Sequence, residues 1–228
     1  MAGIVFSADG RRSRGITGTF SVVARCSRTS SLGVCVSTAV PAVGSVVPHV
    51  EPQVGAVATQ GYTRVIYGTD GLRLLEKGLS AQSTLEALLR EDSDRELRQI
   101  AIIDRKGRRA AFTGEEPPPW RGHVFGEDCV AAGNMLASGK VLKAMIGAFE
   151  GSEESLAERL MRSLEAGDSA GGDRRGKMSA ALLVADEVPV LDARPLLSLR
   201  VDAHAEPVKK LRSVFETYRE WFAGVWGE

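Results

Sequence analysis

The chain lacks most of what would announce a metal centre, a polyanionic partner or a membrane span. Only three cysteines occur in 228 residues, Cys26, Cys35 and Cys129. They are odd in number and without Cys-x-x-Cys spacing, so they offer neither a thiolate cage nor a disulfide framework, and they fit a reducing compartment. The three histidines, His49, His123 and His204, are scattered without the i, i+4 or clustered spacing that metal ligation favours. An excess of one charge is missing too: 29 Lys and Arg balance 29 Asp and Glu. That removes the basic footprint of a nucleic-acid binder and the acidic block of a solvating tail. No apolar run approaches the roughly 20 residues of a membrane-spanning helix. The expectation is a cytoplasmic protein with no metal, no cofactor, no nucleic-acid partner and no membrane association.

What the chain does have is apolar content, 43% of its residues, enough for the core of one large domain. It also has a Gly-Thr junction at the head of an alternating segment, Gly18-Thr19-Phe20-Ser21-Val22-Val23-Ala24-Arg25. Upstream, a short apolar stretch from Ala2 to Phe6 is followed by Arg11, Arg12 and Arg14. A secretory signal runs in the opposite order, with basic residues before a longer apolar region. Residues 1–18 are therefore read as an N-terminal extension or propeptide, and residues 19–228 as one domain. If the bond before Thr19 is cut, that residue carries both a nucleophilic hydroxyl and a free α-amine. An α-amine titrates near neutrality, so it can take the hydroxyl proton with no histidine. Taken alone, the dipeptide is no more than a strand beginning after a glycine turn.

Alternation places a hairpin over residues 19–27 and 32–38, and a third, Gly- and Ala-rich strand over 53–60. Two helices follow, the first started by Thr69-Asp70, the second capped by Ser80 with Leu85, Leu88 and Leu89 on one face. A second hairpin, 99–104 with 109–113, turns at Lys106-Gly107, and 128–132 reads as another short strand. Residues 138–150 and 152–167 have helical periodicity, with Gly167 as a C-cap. Strands over 179–185 and 197–201 precede a closing helix over 206–222. Strand pairs separated by helix pairs predict an α+β fold, with sheets facing each other and helices outside. Apolar and aromatic residues crowd the C-terminal segment, including Phe215, Tyr218, Trp221, Phe222, Val225 and Trp226, and that surplus predicts a homodimer.

Several stretches can carry chemistry. Gly171-Gly172-Asp173-Arg174-Arg175-Gly176-Lys177-Met178-Ser179 comes within one residue of a phosphate-binding loop. Met178, however, stands where a hydroxyl would hold magnesium, and the stretch follows a helix and opens a strand, the reverse of that loop's setting. A nucleotide site is rejected. A solvated glycine turn explains the segment equally well. The sharper reading is that Asp173 and Arg174, at the mouth of a buried strand, orient a substrate or stabilise developing charge. In Ala132-Gly133-Asn134-Met135-Leu136, Asn134 either shapes a turn or aims its side-chain amide at a tetrahedral oxyanion. Gln60 is a substrate hydrogen-bond partner or simply a polar strand end. His49 lies in a Pro-flanked loop, from which it can line a pocket, while His123 and His204 read as surface or turn residues.

Taken in order, these segments resemble the DUF1028 family. The motifs are Thr19-Phe20-Ser21-Val22-Val23-Ala24-Arg25, Val54-Gly55-Ala56-Val57-Ala58-Thr59-Gln60, Tyr67-Gly68 with Gly71-Leu72, Gly133-Asn134-Met135-Leu136, Gly171-Gly172-Asp173 through Ser179-Ala180-Ala181-Leu182, and Leu199-Arg200-Val201-Asp202. The resemblance implies the four-layer αββα sandwich of the N-terminal nucleophile hydrolases. It also implies an amidohydrolase acting on a C–N bond in a small molecule. Thr19 would then be the nucleophile, its α-amine the proton carrier and Asn134 the oxyanion donor. Asp173 and Arg174 would orient the substrate, with Gln60, His49 and Ser179 as further contacts. Two departures stand out. Many members begin Met-Thr-Phe-Ser, whereas residues 1–18 precede Thr19 here, so exposing it needs proteolysis or self-cleavage at Gly18-Thr19. Met178 occupies a position that is usually polar. The alternative is a non-catalytic protein that binds a ligand or partner through the same cleft, with its extension retained.

Overall fold

A computed structural model describes residues 16–185 and 196–222 and contains, among them, two antiparallel sheets and five α-helices. One sheet holds β1 (Ile16–Thr17), β4 (Pro48–Glu51), β5 (Gly55–Tyr62), β6 (Arg98–Asp104) and β7 (Arg109–Thr113). Its order is β1-β5-β6-β7, and β4 shares an edge of β5 with β1, β4 opposite Gly55–Ala58 and β1 opposite Gly61 and Tyr62. The other sheet holds β2 (Thr19–Arg25), β3 (Leu32–Thr38), β8 (Gly122–Phe125), β9 (Cys129–Asn134), β10 (Ser179–Ala185) and β11 (Leu196–Val201), ordered β11-β10-β3-β2-β9-β8. Helices α1 (Ile66–Glu76) and α2 (Ala81–Arg90) pack on the first sheet. Helices α3 (Lys140–Glu150), α4 (Leu156–Ser169) and α5 (Pro207–Phe222) pack on the second. No helix among the described residues is long and apolar enough to cross a membrane.

Successive side chains of a strand point to opposite faces, so each sheet feeds two separate apolar clusters. On β2, Phe20, Val22 and Ala24 turn toward α3–α5 and pack with Leu142, Met145 and Leu160. Val23 turns the other way and joins Val34, Val36, Ala56, Ala58 and Ile103 between the sheets. On β5 and β6, Val57, Ile100 and Ile102 face α1 and α2, where Tyr67 and Leu85 cover them. Thr19 and Ser21 share the face of Val23, which sets them between the sheets at the end of the apolar layer.

Four local departures from the periodicity have physical causes. The Pro-flanked loop around His49 is the edge strand β4, with Pro48 at its first residue, where a missing N–H costs the ladder nothing. Strand β8 is four residues long with Gly122 at its head, too short for alternation to reveal. Helix α1 starts at Ile66 rather than at Thr69, whose hydroxyl instead bonds the Ile66 carbonyl inside the first turn. Gly167 caps nothing. It lies inside α4, where a Cβ would come within 2.8 Å of Met145 Cγ and 3.1 Å of Phe20 Cδ2.

Candidate active site

Four polar side chains form one rung across the second sheet. Ser179 on β10 lies opposite Thr38 on β3, Thr38 opposite Thr19 on β2, and Thr19 opposite Asn134 on β9. Residues directly opposite in an antiparallel ladder share a face, with Cβ atoms roughly 4.5–5.5 Å apart. That face looks toward the first sheet, because Ala181, Val36, Val23 and Ala132 on the same sides of these strands belong to the inter-sheet core. All four polar residues are fully buried. Buried polar groups cost stability unless they are hydrogen-bonded, so each one asks for its partners to be found.

Just before Thr19 the chain crosses from β1 in one sheet to β2 in the other, and the crossing residue is Gly18. Its carbonyl accepts a hydrogen bond from Thr38 Oγ1 and another from Arg175 Nη2 at 3.0 Å. Arg175 is gripped at two points by Asp173, Nε to Oδ1 at 3.1 Å and Nη2 to Oδ2 at 2.7 Å. The Asp173 carboxylate is itself buried and accepts from the amides of Ala39 (3.2 Å) and Arg175 (3.0 Å). Gly171, Gly172 and Gly176, all at positive φ, let the chain fold around this pair. A side chain at the crossing would force its neighbours to shift. A Cβ at position 18 would lie 2.7 Å from Arg175 Nη2 and 2.8 Å from both Asp173 Oδ2 and Met135 Cβ. A hydroxyl and a guanidinium thus converge on the oxygen of the bond that precedes Thr19, where negative charge would gather if its carbon were attacked.

The first sheet contributes a chain of amides whose polarity follows from two backbone carbonyls. Gln99 on β6 points one amide atom at the carbonyls of Gly122 (3.0 Å) and Gly133 (2.9 Å), so that atom is the donor nitrogen. The same nitrogen reaches Thr113 Oγ1 at 3.0 Å, which in turn meets His123 Nδ1 at 2.9 Å. Gln99 Oε1 then accepts from Gln60 Nε2 (2.8 Å) and Asn134 Nδ2 (3.0 Å), and Gln60 Oε1 accepts from Ser21 Oγ (2.7 Å). With its nitrogen turned to Gln99, Asn134 keeps Oδ1 buried with no partner among the described residues. What Asn134 leaves unpaired on the Thr19 rung is therefore an acceptor, suited to an N–H donor rather than to the oxyanion expected from sequence.

Other expected site residues are placed differently. His49 lies opposite Val57, on the face of the first sheet that α1 covers, and its ring fills the space over Gly68. It is therefore not beside Thr19. Burial holds its pKa below the ordinary value, and Nδ1 faces the Val47 carbonyl at 3.2 Å. The Arg174 side chain is exposed and its amide bonds the Met135 carbonyl at 2.9 Å, while the arginine that pairs with Asp173 is Arg175. Ser179 is on the rung, but its hydroxyl donates to the Val40 carbonyl (2.6 Å) and accepts from the Val43 amide (3.1 Å), holding the turn after β3. Gln60 is interior to the amide chain. Among the described residues no three His, Cys, Asp or Glu are grouped to hold a metal ion. Burial pushes the Cys35 and Cys129 thiols up to about 12, which leaves them protonated and poor nucleophiles near neutrality.

The sequence profile of DUF1028, a family of unknown function, matches residues 19–211. The chain belongs to this family. The crystal structure of the DUF1028 protein SPO2555 from Silicibacter pomeroyi is similar over 89% of this chain and 86% of that one, at 32% identity and a TM-score of 0.81. Anbu, the ancestral β-subunit from Yersinia bercovieri, aligns over 92% of this chain and 99% of its own at 12% identity, but its TM-score of 0.37 is too low to build on. No curated protein matches.

The DUF1028 match begins at Thr19, so the carbonyl held by Thr38 and Arg175 comes from the residue just outside it. Sequence reading missed three residues of this candidate site: Thr38, Gln99 and Arg175. Thr38 was within reach, since a hairpin pairing Arg25 with Leu32 also pairs Thr19 with Thr38. Gln99 opens a predicted strand, but only the packing of the two sheets sets it against Asn134. Nothing local distinguishes Arg175 from Arg174. Residues 1–15, and Val225 and Trp226 of the C-terminal segment, lie outside the described residues.

Proposed function

We propose that this DUF1028 protein is an N-terminal nucleophile amidohydrolase that matures by self-cleavage at Gly18-Thr19 and then breaks a C–N amide bond in a small molecule. The observation that carries this reading is the Gly18 carbonyl, held by a hydroxyl and a guanidinium on the one peptide bond whose scission frees Thr19. The three apolar clusters, lying under α1–α2, between the sheets and under α3–α5, support the four-layer αββα arrangement of that hydrolase type.

In maturation, Thr19 Oγ1 attacks the Gly18 carbonyl carbon. A C–O bond forms, the C–N bond breaks, and the hydroxyl proton ends on the Thr19 nitrogen. Thr38 Oγ1 and Arg175 hold the oxygen as it becomes negative, with Asp173 fixing the guanidinium. Water then hydrolyses the ester, leaving a carboxylate on Gly18 and a free amine on Thr19. In turnover that amine takes the hydroxyl proton and passes it to the leaving amine. Asn134 Oδ1 is the acceptor that orients the amine, Gln99 and Gln60 hold Asn134, and the exposed Arg174 meets substrate at the rim.

Intact mass of the purified full chain tests the proposal. Wild type is expected to lose residues 1–18, Thr19→Ser to lose them more slowly or faster but measurably, and Thr19→Ala to keep them and have no turnover. Full burial of Thr19 with its nitrogen in a peptide bond favours the second reading, a non-catalytic binding protein. A wild-type chain that retains its extension selects it. The apolar stripe of α5, with Val214, Tyr218 and an 80% exposed Trp221 around a cavity of about 330 Å³, supports a homodimer, which light scattering would detect. Three unpaired buried thiols support a cytoplasmic location.

A further inference from the structure

The residues just before Thr19 also describe the acyl group that the site accepts. Self-cleavage passes through an ester between the Gly18 carbonyl and Thr19 Oγ1. A substrate whose acyl part ends in glycine would give an acyl-enzyme with the same ester, so the pocket that holds Gly18 is the acyl pocket of turnover. On this basis, and resting on the maturation reading above, we infer that the matured site takes peptide-like amides in which a glycyl residue carries the scissile carbonyl and the preceding residues lie extended along β5.

Two observations define that ligand. The first is β1, which pairs antiparallel with β5, Ile16 opposite Tyr62 and Thr17 opposite Gly61. Strand β4 occupies the same edge only as far as Pro48 opposite Ala58. Release of residues 1–18 therefore vacates a short edge that an extended acyl chain can refill by main-chain hydrogen bonds. The second is the wall around Gly18. Arg175 Nη2 and Asp173 Oδ2 would meet a Cβ at 2.7 and 2.8 Å, and each is fastened by the other. Met135 Cβ would meet it at 2.8 Å, on a residue tied through its amide to the Pro118 carbonyl (3.1 Å) and through its carbonyl to the Arg174 amide (2.9 Å). A methyl group can enter only by displacing the guanidinium that polarises the carbonyl, so selectivity falls on the chemical step as well as on binding. In the reaction Thr19 Oγ1 attacks the glycyl carbonyl, the C–N bond breaks and the hydroxyl proton leaves with the amine. Water then releases the glycyl carboxylate.

The test uses the full chain after it has matured, with acetyl-Ile-Thr-Gly p-nitroanilide and acetyl-Ile-Thr-Ala p-nitroanilide as probes. One methyl group in a fitted pocket changes kcat/KM by roughly 10- to 200-fold, and a preference of that size for Gly is expected. Met135→Gly removes the carbon wall at a residue whose φ of 53° suits glycine, and is expected to narrow the Gly-to-Ala ratio about tenfold or more. A defect in folding would lower both rates and leave that ratio alone. Gly18→Ala in the full chain is expected to slow loss of residues 1–18 by a comparable factor. Equal rates on the two anilides, preference for Ala, or no nitroaniline from either by a matured chain would overturn the glycyl assignment while leaving maturation intact. A wild-type chain that never loses residues 1–18 overturns both.

Discussion

Asp92 and Asp173 are both buried carboxylates gripped by arginine, and the clusters around them differ in what is left over. Asp92 Oδ2 accepts from Arg98 Nε (2.9 Å), Tyr67 Oη (2.7 Å) and Arg64 Nη1 (3.1 Å), while Oδ1 accepts from the Asp94 amide (3.0 Å). Arg98 spends a further donor on the Tyr62 carbonyl at 2.9 Å. Burial by itself would push the Asp92 carboxyl up, but the hydrogen bonds from Arg98, Tyr67 and Arg64 outweigh it and hold it well below the usual carboxylate range. Burial, together with the bond to Asp92, pushes the Tyr67 phenol up. This cluster ties α1 to the start of β6 and closes on itself. Around Asp173 the arginine instead extends a donor to the carbonyl of the bond before Thr19, and the adjoining rung keeps an acceptor on Asn134 that no described residue pairs. A satisfied network holds shape; one that leaves a buried acceptor over, beside a carbonyl held by two donors, is a candidate for chemistry.

The largest expected effect breaks the closed cluster. Asp92→Ala leaves the buried Arg98 with only the more distant and exposed Asp94 carboxylate, 3.7 Å away, and should cost about 3 kcal/mol in urea unfolding while cleavage at Gly18-Thr19 per folded molecule stays unchanged. The acid side has a definite sign. The folded carboxyl titrates below its ordinary value near 3.8, so its stabilisation is present above that value and lost as pH falls toward the lowered one. Wild-type and Asp92→Asn stabilities should therefore converge in acid.

The next effect is on the open cluster. Thr38→Val keeps the shape of the side chain and removes one donor from the Gly18 carbonyl, and should slow self-cleavage roughly 10²- to 10³-fold with the fold retained. Its rate is read by intact mass over time, and a wild-type rate would remove Thr38 from the chemistry. Asn134→Leu then sharpens the role of the orphan acceptor. Losing an acceptor destabilises the ammonium form of Thr19, so the acid limb of kcat/KM in the matured chain should move to lower pH by about one unit. An unmoved limb would leave Asn134 a purely structural residue. The smallest effect belongs to His49, outside both clusters. Its folded pKa is below the ordinary value near 6.5, so the folded state binds fewer protons than the unfolded one and stability declines as pH drops through that region. His49→Gln should flatten that slope without altering cleavage.

Much of the scaffold was legible along the chain. The alternation of Thr19–Arg25 and Leu32–Thr38 determined which residues face the other sheet, because a strand's period of two is a property of the backbone. Ser80 was visible as a cap because a hydroxyl before a helix has an amide to bind, here that of Ser83 at 3.0 Å. The Gly18-Thr19 junction was equally local. Tertiary structure alone decided that Arg175 rather than Arg174 reaches Gly18, since the direction of each side chain in that turn depends on glycines held at positive φ. It also decided that His49 faces α1, through the pairing of β4 with β5, and that Asn134 presents an oxygen. Two carbonyls on β8 and β9 orient Gln99, which lies in the opposite sheet, and Gln99 orients Asn134. A periodic pattern carries the face of a strand; it carries nothing about which donor across the interface will claim an amide nitrogen, because that is set by packing between segments far apart in the chain.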